Sequence, residues 1–377
     1  MEESNWKPYA VHQLPLWCSM ATVFLIFLHS GARVLGNAQV PALFVFGDSL
    51  VDNGNNNGLT SVAKSNYYPY GVDFYQGPTG RFSNGRTIVD VLCDAFNLPY
   101  LPPYMSPTLN GTQLLAGVNY ASAAAGILEE SGQFLGERFD LSEQVLNFQS
   151  NLEQLRMVLG GVRMLSQFLA SSIVVMIIGS NDYINNYLLP SLYSSSYNYS
   201  PEDYADLLLN RLTRQLLALH SVGLRKFLVA GLAPLGCIPS QRTAALAPPG
   251  RCADRVNEIV GFFNRGLREL VEQLNDAHTD ATFVYGNTYA AVGDILNNPS
   301  AYGFRVVDRA CCGIGRQQAE ITCLPLATPC ANRSEYVFWD AFHPSEAVNA
   351  VLAQRALDGP PSDCFPVNLR QLALLPS

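Results

Sequence analysis

The sequence predicts an α/β domain whose mainly parallel sheet is covered by helices on both faces. Three observations lead there. Five short apolar, β-branched or aromatic runs recur along the chain, amphipathic stretches of helical length lie between them, and 48% of the 377 residues are hydrophobic, enough for a substantial core.

The runs Ala42 to Phe46, Val118 to Ala121, Ile173 to Ile178, Lys226 to Ala230 and Ala281 to Tyr285 are too short for typical helices and read as strands. The stretches Thr87 to Leu98, Leu141 to Leu159, Pro201 to Val222, Ala253 to Asn275 and Ser345 to Leu357 read as helices. Local signals support them. Ser200 can cap the third, with Pro201 and Asp203 suited to its first turn and Gly223 following its end. Asp140 with Glu143 three positions on resembles a capping box before the second. No internal repeat or low-complexity linker interrupts the pattern, so residues 39–377 are expected to form one domain, with long loops around 52–86 and 301–338 shaping a site.

Residues 21–28 are an apolar run too short to span a bilayer, and Gly36-Asn37-Ala38 offers small residues for a signal peptidase. Residues 1–38 are therefore expected to be a secretory signal and the mature chain to begin near Gln39. An uncleaved anchor is the competing reading, because Lys7 is opposed by Glu2 and Glu3. No later segment is apolar enough for a second anchor, so no stable membrane attachment is expected once the signal is removed. The formal charge of −8 is spread along the chain and Lys and Arg form no dense run, which excludes a nucleic-acid surface. Oligomeric state is not legible.

Loss of the signal removes Cys18 and leaves Cys93, Cys237, Cys252, Cys311, Cys312, Cys323, Cys330 and Cys364, an even set that fits an oxidising compartment. The group Cys311, Cys312, Cys323 and Cys330 lacks a CxxC pair and a companion histidine, so disulfides are expected there and zinc is not. No free reactive thiol is expected. Sequons at Asn110, Asn198 and Asn332 agree with passage through a glycosylating compartment and an extracellular destination.

The first predicted strand runs into Gly47-Asp48-Ser49-Leu50, which places Ser49 at the carboxyl end of a buried strand, where open α/β sheets bind ligands. The second ends at Tyr120-Ala121-Ser122-Ala123-Ala124-Ala125-Gly126 and the third at Gly179-Ser180-Asn181-Asp182, so three strands deliver small and polar residues to one sheet edge. Small residues let backbone N–H groups approach a substrate oxygen, and the Asn181 amide can donate to it. Taken singly, each segment could equally be a turn or a helix cap.

A serine hydroxyl needs an adjacent base, and the base needs orienting. His220 and His278 sit near helix ends, where a cation suits the macrodipole, and read as structural. His343 is different. It lies in Trp339-Asp340-Ala341-Phe342-His343-Pro344, and one turn can bring the Asp340 carboxylate to the imidazole, holding the tautomer that accepts a serine proton.

In block order, spacing and context these segments resemble the plant GDSL esterases and lipases, a branch of the SGNH hydrolases. The match runs over nearly the whole mature chain. Phe44 to Asn56 resembles the nucleophile block, Gly117 to Ser122 the second, Gly179 to Asp182 the third, and Asp340 to Pro344 the last. The resemblance implies a flavodoxin-like three-layer α/β/α sandwich without metal or organic cofactor. It further implies Ser49 as nucleophile, His343 as base and Asp340 as its partner. The implied oxyanion hole combines the Ser49 N–H, a second-block N–H and the Asn181 side chain. Where the wider family has its oxyanion glycine, this chain has Ala123, and a backbone donor survives that change unless φ must be positive.

The implied activity is hydrolysis of a carboxylic ester through an acyl-Ser49 intermediate, the ester being a lipid, a polymer or a small metabolite, in the apoplast or cell wall of a plant. The same groups could pass the acyl unit to a cell-wall or lipid hydroxyl. A secreted binding protein that keeps the fold without catalysis is the remaining alternative.

Overall fold

The computed structural model describes Met1 and residues 40–376 apart from residues 246, 248 and 249. The expected signal segment lies, Met1 aside, outside the described residues. All five predicted strands form: β1 (Leu43–Gly47), β2 (Gly117–Asn119), β3 (Ile173–Ile177), β4 (Lys226–Ala230) and β5 (Thr282–Gly286). They pair in parallel in the order β2-β1-β3-β4-β5, with Leu43 opposite both Gly117 and Ile173, Ile173 opposite Lys226, and Lys226 opposite Thr282.

Because side chains alternate across a strand, one sheet feeds two cores. Phe44, Phe46, Val174, Met176, Phe227, Val229 and Phe283 enter one, while Leu43, Val45, Ile173, Val175, Leu228 and Val284 enter the other. Helix α1 (Ile88–Phe96) gives Val89, Leu92 and Phe96 to the second core, and α2 (Leu141–Ser150) gives Val145 and Phe148 to the first. Next come α3 (Leu152–Leu159) and α4 (Val162–Ser171). The long helices α5 (Pro201–Ser221) and α6 (Asp254–Ala277) also cover the first core, through Leu208, Leu212, Leu216 and Leu219 and through Val260, Phe263, Leu267 and Val271. On α5 and α6 these residues recur three or four apart, the spacing of one helical face.

Beyond β5, α7 (Thr288–Asn297) leads to β6 (Val306–Ala310), β7 (Tyr336–Phe338), α8 (Glu346–Asp358), β8 (Cys364–Phe365) and α9 (Leu369–Leu374). Ala353 and Leu357 of α8 and Leu369 and Leu372 of α9 close the second core, which completes the α/β/α layering.

The predicted caps form. The Ser200 hydroxyl accepts the Asp203 N–H at 3.1 Å, and Asp140 and Glu143 make the reciprocal capping box. The single stretch expected over 141–159 is instead two helices, broken at Asn151, whose side chain donates to the buried Tyr120 hydroxyl at 2.9 Å. Periodicity also misses several elements. Strand β8 has only two residues and adds antiparallel to β5, and β6 is largely half-exposed and pairs with β7 across what reads as a loop.

The order β2-β1-β3 matters for function. The chain leaves β1 for one neighbour and later returns to its other side, so the loops after β1 and β3 diverge and open a crevice at their carboxyl ends, the switch point of a doubly wound sheet.

Candidate functional site

Ser49 follows β1 without an intervening turn and sits half-buried in that crevice. Gly47 makes the approach possible, since a Cβ there would lie 2.4 Å from the Ile177 carbonyl oxygen of β3. The buried Gln144 of α2 accepts the Gly47 N–H and donates to its carbonyl, both at 2.8 Å, which locks the strand end.

His343 arrives from the loop before α8. Its Nε2 lies 2.7 Å from Ser49 Oγ, and its Nδ1 lies 2.8 Å from both carboxylate oxygens of Asp340. Asp340 Oδ1 also accepts the N–H groups of Phe342 and His343, each at 2.8 Å, so the carboxylate fixes the turn that carries the histidine. Oδ2 accepts the Tyr70 hydroxyl at 2.6 Å. Burial alone would raise the Asp340 carboxyl, but the neighbouring imidazole and these donors hold it below its ordinary value.

Tyr70 is a site residue that the sequence did not reveal. It comes from the 52–86 loop, and the only available signal was an aromatic run, Tyr67-Tyr68-Pro69-Tyr70, inside an otherwise polar loop. Tyr70 and Trp339 pack edge to face, with ring centroids 6.1 Å apart, in a small core shared with Ala123 and the disulfides Cys311–Cys330 and Cys312–Cys323. The four cysteines considered for zinc are thus two bridges that brace the histidine loop. A third bridge joins Cys237 and Cys252. Cys93 and Cys364 are unpaired, and burial pushes both thiols up to about 12, which keeps them protonated and unreactive.

Behind Ser49, residues 52–56 form a buried polar staple. Asp52 accepts the N–H groups of Gly54 and Asn55 at 2.8 Å and of Ala123 at 3.0 Å. The Asn55 amide donates to the carbonyls of Asn119 and Ala121, and the Asn56 amide to that of Ala123. Asn56 Oδ1 accepts both the Ser122 hydroxyl and the Ala123 N–H. Ala123 is therefore fully buried with its N–H already held by two acceptors, and this removes it as the expected second backbone oxyanion donor. The next residue, Ala124, has φ 66°, a left-handed backbone that costs a non-glycine residue about 1 to 2 kcal/mol.

Asn181 lies in a short helical turn after β3 and lines the cavity at Ser49. It donates through Nδ2 to the Ala125 carbonyl at 3.0 Å, and its Oδ1 accepts from Asn185, so both ends of the amide are held. Asp182 accepts the Ile127 and Leu128 N–H groups and the Ser131 hydroxyl, tying the loop that follows the second block to the third. Burial pushes the carboxyls of Asp52 and Asp182 up to about 6. Burial likewise takes Asp48 up to about 7, where its Oδ2 has no hydrogen-bond partner.

His220 and His278 lie at the ends of α5 and α6 as expected, with ring centroids 4.8 Å apart. Together with Asp280 they are the trio of metal-ligating side chains found among the described residues. Arg225 Nε already lies 2.9 Å from the Asp280 carboxylate, so that charge is paired within the protein. Asn110, Asn198 and Asn332 are all exposed.

Fold and site together define a doubly wound α/β/α protein carrying serine, histidine and aspartate in one hydrogen-bonded row at its switch point. The family model for GDSL-like lipases/acylhydrolases matches residues 43–356. A GDSL esterase/lipase of Arabidopsis thaliana is 55% identical over 372 residues, covering 99% of each chain. A second from the same plant is 54% identical over 342 residues, 90% of this chain and 89% of its own. The Arabidopsis GDSL esterase/lipase 7 is 47% identical over 353 residues, 93% of this chain and 97% of its own. The chain belongs to the GDSL-like lipase/acylhydrolase family.

Proposed function

We propose that the protein hydrolyses carboxylic esters by acyl transfer through Ser49. The observation that carries this is the unbroken row from Ser49 Oγ to His343 Nε2 at 2.7 Å and from Nδ1 to Asp340 at 2.8 Å. His343 takes the Ser49 proton as Oγ attacks the ester carbonyl, and Asp340 stabilises the imidazolium that forms. The oxyanion is held by the Ser49 N–H, the Asn181 amide and a backbone N–H from the segment after β2 other than that of Ala123. The imidazolium then gives its proton to the departing alcohol. Water, deprotonated by His343, attacks the acyl-serine and releases the acid.

Residues 39–377 act as one hydrolase domain, supported by their clustering as one compact unit. Secretion after loss of residues 1–38 is supported by three disulfides and three exposed sequons, with the Ser334 hydroxyl donating to the Asn332 side chain at 2.9 Å. No described helix is long and apolar enough to cross a membrane. Stoichiometric labelling of Ser49 by an organophosphorus probe, with coincident loss of ester turnover, is the expected result. An unlabelled Ser49 in folded protein would sink the hydrolase reading, and ester products formed with competing alcohols would redirect it to acyl transfer.

A further inference from the structure

Resting on the hydrolase reading, we propose that the cavity beside Ser49 is a slot for an unsubstituted aliphatic acyl chain of about six to ten carbons, entering methyl end first. The cavity, of ≈ 130 Å³, is lined by Ser49, Asn181 and His343 together with residues of the sheet, α8 and α7. Its walls are mostly apolar: Ile177 and Leu228 come from strands β3 and β4, Val292 from α7, and Leu352 and Ala356 from α8. Of the polar residues that also line it, Asn349 donates to the Arg86 carbonyl and Asn287 to the Ser362 carbonyl, while Asp48, Ser180 and Thr288 add a minor polar share.

Size follows from the sheet. From Ser49 after β1 to Gly286 at the end of β5 the slot crosses β3 and β4, three strand spacings or roughly 14 Å; with about 2 Å left for van der Waals clearance at its end, an extended chain advancing about 1.25 Å per C–C bond fills it with about ten carbons. The volume is close to that of an apolar cavity of about 150 Å³ that accepts a six-carbon ring, which sets the lower figure. The far end excludes charge. Arg355 there is held by Asp363 at 2.6 and 3.1 Å and by Asp294 at 2.7 Å, so its guanidinium is already matched by two carboxylates and has no pairing left for an ω-carboxylate.

Two measurements on the full secreted, disulfide-intact chain test this. The first is kcat/KM for p-nitrophenyl esters from two to sixteen carbons. It should rise by about fourfold per added CH₂, the value of burying one, reach a maximum between six and ten carbons, and fall at sixteen. The ω-carboxylated octanoyl ester should be at least about tenfold poorer than the octanoyl ester, since it would bury an unpaired charge. The second is calorimetric binding of octanoate to Ser49→Ala, which needs no turnover. Val292→Phe, or Leu352→Phe on α8 should the first variant not fold, is expected to weaken that binding about tenfold and move the ester optimum to shorter chains. A flat chain-length profile, preference for the ω-carboxylate, or both folded variants leaving the optimum in place would overturn the slot. Octanoate bound by Ser49→Ala beside a wild-type protein that cleaves no ester would support the slot and overturn the hydrolase reading.

Discussion

On the β2 side of Ser49 the protein is polar and closed, whereas on the β4 and β5 side it is apolar and hollow. The polar wall is the staple of Asp52, Asn55, Asn56 and Ser122, in which hydrogen bonds to the backbone fix the second block. The apolar wall is the slot beneath α8, where side chains contribute volume and no direction. Directional contacts set positions to fractions of an ångström, as an oxyanion hole requires. Dispersion and burial tolerate a shift of substrate along the slot, as recognition of a chain requires. In the proposed reaction, Ser49 is thus held by rigid groups behind it and supplied through a permissive space in front.

The largest effects should fall where the two walls meet. Ser49→Ala and His343→Ala should each lower kcat by about 10⁴ to 10⁶, leaving residual rate from binding and the oxyanion donors. Full activity in either variant would reject the row of hydrogen bonds as the catalytic unit. Asn181→Ala should lower kcat by about 10² to 10³ with KM nearly unchanged, because the donor role proposed for it meets charge that appears only in the transition state. A normal kcat would take Asn181 out of the oxyanion hole.

The walls themselves should differ in stability. Asp52→Ala strands the N–H groups of Gly54 and Asn55 and should cost about 3 kcal/mol in chemical denaturation, together with activity. Leu352→Ala only widens a space already present and should cost about 1 kcal/mol while broadening the chain-length profile. Equal losses would erase the contrast between the walls. Tyr70→Phe removes one of several donors to Asp340 and should lower kcat about tenfold, with KM retained.

The smallest effect separates the walls by pH. Asp48, Asp52 and Asp182 have carboxyls raised to about 7, 6 and 6 by burial, so the folded chain binds more protons than the unfolded chain between pH 4 and 7. Their contribution to stability is complete below the ordinary Asp value and is lost as pH rises through 6 to 7. Asp340, held low, works in the opposite sense, but only below about pH 4. Melting temperature should therefore fall by about 2 °C or more from pH 5 to pH 8, and Asp48→Asn should flatten part of that slope. A midpoint that rises over this range would contradict the buried, partner-poor setting of Asp48.

The sequence by itself determined the parallel α/β plan, the strand runs and the placement of Ser49, Asn181 and Asp182 at strand ends, because alternation, helical spacing and strand-to-loop transitions are local patterns. The Asp340 and His343 pair was legible for the same reason, since three residues of turn suffice to join them. Only the tertiary structure decided what crosses the chain. Tyr70 meets Asp340 from 270 positions away, and Cys312 pairs with Cys323 rather than with the adjacent candidates. The Ala123 N–H is taken up by Asp52 and Asn56, and the left-handed backbone falls on Ala124. The slot belongs to the same class. Each wall residue reads as ordinary core in its own helix or strand, and the space among them exists only after α7 and α8 settle against the sheet, because a void is a property of how surfaces meet and no single segment encodes it.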